Sequence, residues 1–161
     1  MPDHVLLLHG LMMRSPAMMP LARRLRARGF EVSIFSYSTL FQLPSRAMER
    51  LALRLYARRG QPTHLVAHSL GGLVAVETLN RYQDLPPGRL VCLGSPLAGS
   101  AAARGLKERG LGFVAGRSGP LLRGGLMSVP GQRDIGVIAG CNSRGLGRYF
   151  GTLEGPNDGT V

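Results

Sequence analysis

Cysteine is scarce and scattered: Cys92 and Cys141 lie far apart in 161 residues. They lack the spacing of metal-ligand pairs, which excludes a cysteine-built metal site, and both read as small core residues that stay reduced in a cytoplasm. Long apolar runs are also missing. The run at 5–8 is interrupted by His9 and Gly10, too short for the hydrophobic core of a signal peptide or for a membrane span, so a cytoplasmic product is expected. Lysine occurs once, as Lys107, among 20 basic residues, in a chain of formal net charge +11 and pI near 11.3. An arginine bias this lopsided follows from a GC-rich genome as readily as from a polyanionic ligand, and no nucleic-acid partner is expected. The four histidines stand at positions 4, 9, 64 and 68, with none beyond. No linker, repeat or change of composition divides the chain, which is long enough for one domain, 1–161, with a sizeable core.

What is present centres on 64–72, His-Leu-Val-Ala-His-Ser-Leu-Gly-Gly. Leu65, Val66 and Ala67 read as a short buried strand. Ser69 follows at a sharp turn, and Gly71 and Gly72 let a helix start against the strand without a Cβ clash. The run is a variant of the G-x-S-x-G elbow, with Ala67 in the first small position and Gly71 closing it. The plainer alternative is an ordinary helix start with Ser69 as its N-cap. A second segment weighs against that alternative: Val5, Leu6, Leu7 and Leu8 form another buried strand, ending in His9, Gly10, Leu11. An oxyanion formed during acyl transfer needs two backbone N–H donors, one following the nucleophile and one from another strand end, and Leu70 and Leu11 are the natural pair. With both motifs in this order, the chain resembles the α/β-hydrolase superfamily, and within it the small bacterial lipase and esterase-like proteins whose strand ends in His-Gly-Leu. The resemblance runs from His4 to the end.

Periodicity and punctuation predict strands at 4–9, 30–36, 63–67, 89–93 and 135–140, and helices at 15–28, 44–59 and 69–82. Alternating strands and helices imply an α/β fold, an open, mostly parallel sheet with helices on both faces. Right-handed crossovers bring the strand C-termini to one edge, where such sheets bind ligands, and both 9–11 and 68–70 lie at that edge. Arg46, Arg50, Arg54 and Arg58 form a basic stripe on one helix, opposite Met48, Leu51, Leu55 and Tyr56. The stripe reads first as a solvated face and secondarily as a weak contact with an anionic membrane surface.

The resemblance carries further expectations. Relative to larger hydrolases, the chain starts at the strand carrying the oxyanion loop, a minimal version of the fold. Residues 101–131 correspond to the cap or lid over the substrate pocket in relatives, with a surface loop as the alternative. Leu111, Phe113, Val114, Leu121, Leu122, Leu126 and Met127 would suit an acyl chain or plain packing. Asp158, in Asn-Asp-Gly after the last strand, matches the triad acid, although the same tripeptide is a common turn. Asp134 is the rival, but it precedes its strand and should lie at the opposite edge. The family order is serine, acid, histidine, and no histidine follows the acid. His9 is the one conceivable substitute base, with bracing of the oxyanion loop as its ordinary role, while His4 and His64 read as structural or solvated.

The expectation is therefore a serine hydrolase of carboxylic esters, acting on small-molecule acyl esters. Its residues are Ser69 as nucleophile, Asp158 as acid and Leu11 with Leu70 at the oxyanion, with no cofactor or metal. It is cut short before its histidine and impaired for that reason. An incomplete sheet edge would favour a homo-oligomer. The alternative from another class is an inactive remnant that binds an apolar ligand or a partner protein.

Overall fold

A computed structural model of the chain describes residues 2–100, 104, 107, 108, 110, 112–126 and 133–140, with 112–114 described by their backbone alone. Five strands, β1 (His4–Leu8), β2 (Glu31–Phe35), β3 (Thr63–His68), β4 (Leu90–Leu93) and β5 (Ile135–Ile138), form one parallel sheet in the order β2-β1-β3-β4-β5. The α-helices whose full extent falls among the described residues are α1 (Met19–Arg26), α2 (Pro44–Tyr56), α3 (Leu70–Arg81) and the short α4 (Gly119–Gly124).

Local chemistry sets the boundaries. Pro44 opens α2 at a position where its missing N–H costs nothing. Gly29 and Gly60, both at φ +88°, follow α1 and α2 in a conformation that a side chain would resist. The helix expected over 15–28 divides into a 3-10 turn, Ser15–Met18, and α1. Prolines at 16 and 20 begin each piece, since neither can donate to a preceding turn.

Both faces of the sheet are used. Leu6, Leu8, Leu65, Ala67, Leu90 and Cys92 pack with Met48, Leu51 and Leu55 of α2 and Leu73, Val74 and Val76 of α3, whereas Val5, Leu7 and Val32 meet Met18 and Ala22 on the opposite face. Each buried leucine, valine or methionine among them stabilises the fold by about 1.5–3 kcal/mol relative to exposure. Cys92 is a buried core residue, as expected, and Cys141 lies outside the described residues.

β5 differs from expectation. Its sequence reads as a buried strand, yet Val137 and Ile138 are 55% and 60% exposed. Among the described residues it is the sheet's edge, paired on one side to β4, so apolar character here does not bring full burial. Within 101–131, Leu122 is buried and Leu121 and Leu126 pack against the main core, so those three serve plain packing. The side chains of Leu111, Phe113, Val114 and Met127 lie outside the described residues.

Candidate active site

Strand order reverses between β1 and β3. β1 continues to β2 on one side, and the chain returns to place β3 on the other, with Leu8 beside Ala67. The carboxyl ends of these two neighbours flank the crevice where open α/β sheets bind ligands. Residues 9–13 leave β1 at this edge, and Ser69 leaves β3.

A single residue joins β3 to α3. Ser69 has φ 51° and ψ −121°, outside the conformations natural to a residue with a side chain. Such strain costs on the order of 1–3 kcal/mol and persists only where surroundings impose it. They do so here: the Ser69 N–H donates to Leu93 O at 2.9 Å, and Ser69 O accepts from the Gly72 N–H at 3.0 Å. The hydroxyl makes no capping hydrogen bond to α3, and the dihedrals are not those of an N-cap, so the ordinary helix-start reading does not hold. Ser69 is half-buried and Leu70 fully buried. Glycines allow the close approach of α3: a Cβ on Gly71 would lie 2.8 Å from His9 O, and one on Gly72 would lie 2.6 Å from Ser95 Cβ.

The β1 loop reaches the serine directly. A Cβ on Gly10 would stand 3.0 Å from Ser69 Cβ, 2.9 Å from His68 Nδ1 and 3.3 Å from Met13 Sδ. Met13 N–H closes a turn onto Gly10 O at 3.3 Å, and Met12 N–H donates to Thr39 Oγ1 at 3.0 Å. No acceptor among the described residues takes the N–H of Leu11 or of Leu70. Buried or half-buried amides of this kind are what a developing oxyanion requires.

His9 is fully buried. Its Nδ1–H donates to Gly10 O at 3.1 Å, and its Nε2 accepts the Tyr37 N–H at 3.5 Å. With both ring nitrogens engaged by backbone, it braces the loop and holds no proton position for chemistry. His4 Nε2 hydrogen-bonds Ser33 Oγ at 2.9 Å, and burial, reinforced by Arg58, lowers its pKa. His64 Nδ1 accepts the Arg89 N–H at 3.1 Å at the far edge. Asp134 precedes β5 and pairs with Arg89 at 3.4 Å, also at the far edge, which removes it as the acid. Asp158 lies outside the described residues.

Two supports escaped the sequence reading. Tyr37 O–H donates to His9 O at 2.7 Å with its ring stacked on the imidazole, and Thr39 holds Met12 while its own carbonyl accepts the Ser118 hydroxyl at 2.7 Å. The available signal was their position just past β2, the strand beside β1. Burial raises the Tyr37 pKa, so the phenol stays a donor. Among the described residues, no group of three or more His, Cys, Asp or Glu side chains could hold a metal ion, and no helix is long and apolar enough to cross a membrane.

A strained serine between strand and helix, set against the loop of the neighbouring strand on a parallel sheet, defines a hydrolase-type α/β architecture. The chain matches the alpha/beta hydrolase family over residues 5–154 and belongs to that family. Comparison with curated protein sequences gives no match. Among solved structures, the fold is similar to a Bacillus licheniformis lipase in mature form, at 21% identity and TM-score 0.80, covering 100% of this chain and 79% of that one. It is also similar to a monoacylglycerol lipase of Paleococcus ferrophilus, at 25% identity and TM-score 0.53, over 65% of this chain and 47% of that one. A third likeness is to the phospholipase PlaB of Legionella pneumophila, at 15% identity and TM-score 0.56, over 75% of this chain and 32% of that one. The chain spans less than half the length of the latter two.

Proposed function

We propose that the chain is a serine hydrolase of carboxylic esters with apolar acyl groups, working through an acyl-enzyme. Ser69 attacks the ester carbonyl, and the N–H groups of Leu11 and Leu70 receive the oxyanion. Asp158 is the acid, and a histidine from outside these 161 residues would be the base. The observation that carries this reading is the strained, uncapped Ser69 with Gly10 packed against it. The lipases named above support an ester substrate. No cofactor enters the scheme, residues 101–131 act as a cap, and the location is cytoplasmic. Pairing of copies through β5 is consistent with its exposed Val137 and Ile138.

Without the base, the loss of rate is on the order of 10⁴ to 10⁶. The test is nitrophenol release from a short-chain nitrophenyl ester with and without added imidazole, comparing the protein with Ser69→Ala. Imidazole supplies the missing proton acceptor, so its stimulation should exceed that seen with Ser69→Ala; equal stimulation refutes the reading. A second reading, a non-catalytic binder of apolar ligands, is favoured by the engagement of His4, His9 and His64 in structural hydrogen bonds. It requires ligand binding with no Ser69-dependent release.

A further inference from the structure

A cavity of about 710 Å³ opens beside the candidate site, between residues 12–16 and 36–42, with Arg50 of α2 at its wall. Met13 joins it to the serine: its Sδ and Ser69 Cβ both approach the same side of Gly10, within 3.3 Å of where a Cβ would stand. The lining has two characters. Met12 and Phe41 are 65% and 84% exposed, apolar surface that water would rather not meet. Arg14 and Arg50 bring positive charge, and among the described residues no aspartate or glutamate lines the cavity. Arg50 is held in place, its Cζ 5.6 Å from the Phe35 ring centroid and one N–H donated to Ser36 O at 3.2 Å. The rest of its planar fork is available to an anion. Arg14 forms no ion pair among the described residues.

We infer that this groove binds an anionic amphiphile, an apolar chain bearing a carboxylate or phosphate, and so selects esters that carry a negative group. The substrate preference rests on the hydrolase reading; the binding site does not. Methionines and Phe41 take the chain, and Arg14 with Arg50 take the charge.

Binding is measured by calorimetry on the Ser69→Ala protein, which separates this site from turnover. The probes are dodecyl phosphate and decanoate below their micelle-forming concentrations, against uncharged dodecyl maltoside, inorganic phosphate and anionic phospholipid vesicles. The expected result is saturable binding of both anionic amphiphiles, weakened by salt and by about two- to five-fold in each of Arg14→Gln and Arg50→Gln. Should Arg50→Gln lose its fold, the exposed Arg14→Gln carries the same test. Equal binding of dodecyl maltoside, inorganic phosphate binding as tightly as dodecyl phosphate, vesicle binding without monomer binding, or arginine variants without effect would each overturn the inference. Amphiphile binding together with a failed imidazole test would sink only the hydrolase reading.

Discussion

The Tyr37 hydroxyl donates to the carbonyl of His9 at 2.7 Å while the two rings stack with centroids 4.5 Å apart. One side chain thus fixes both the backbone and the imidazole of the residue that begins the loop after β1. Tyr37→Phe keeps the stack and loses the hydrogen bond, leaving a buried carbonyl short of its partner. Stability should fall by about 1–3 kcal/mol in urea denaturation. Ser69-dependent nitrophenol release should fall with it in folded protein, because Leu11 lies two residues from the released carbonyl.

Gly10→Ala tests the contact between loop and serine. The added methyl meets Ser69 Cβ at 3.0 Å and His68 Nδ1 at 2.9 Å, so one of them must move. Overpacking of this kind costs about 1–3 kcal/mol. Ester release should drop further than the melting temperature alone explains, by ten-fold or more on the scale of about 10²-fold that a 1 Å misplacement costs. Full activity in this variant would show that the loop does not position the reaction.

Gly72 carries a structural prediction. Its Cβ would overlap the Ser95 side chain, 2.6 Å from Ser95 Cβ and 3.2 Å from Cys92 Sγ. Gly72→Ala should destabilise by about 1–3 kcal/mol. Gly72→Ala combined with Ser95→Gly should recover part of that loss, a non-additivity that a double-mutant cycle in urea measures. Additive losses would place the strain elsewhere.

Acid should weaken the fold through His4. Burial, with Arg58 nearby, holds its folded pKa below the usual value of about 6.5. The unfolded chain then binds the proton more readily, so the contribution of neutral His4 is complete above about pH 6.5 and is lost as pH falls from there toward the folded value. Melting temperature should decline over that window, and His4→Gln should flatten the decline. An unchanged slope in the variant would assign the acid sensitivity to other groups.

The sheet was legible because its strands are short apolar runs punctuated by glycine and proline, and because parallel strands buried on both faces need no alternation. Each of the five was expected within two residues of its observed ends. Ser69 and the β1 loop were legible as a pair for a related reason: independent strand directions send both to one edge. Tyr37 and Thr39 were not, since their contacts join segments about 28 residues apart and depend on which strand lies beside β1. Burial of β5 was overestimated because composition reports what a strand could cover, and neighbours decide what it does cover. Of the arginine stripe, Arg46 pairs with Glu49 at 3.2 Å one turn along α2, a contact that helical spacing already allows, whereas Arg58 pairs with Glu31 at 3.0 Å across 27 positions, which only the fold reveals.

The most direct test of the account is a crystal structure of the chain with an alkylboronic acid bound at Ser69, where the boronate mimics the tetrahedral intermediate. The expected result is a covalent bond to Ser69 Oγ, with one boronate oxygen about 2.7–3.1 Å from both the Leu11 and the Leu70 nitrogens. An adduct whose oxygens face solvent while those amides bond elsewhere, or boronate bound without contact to Ser69, would contradict it.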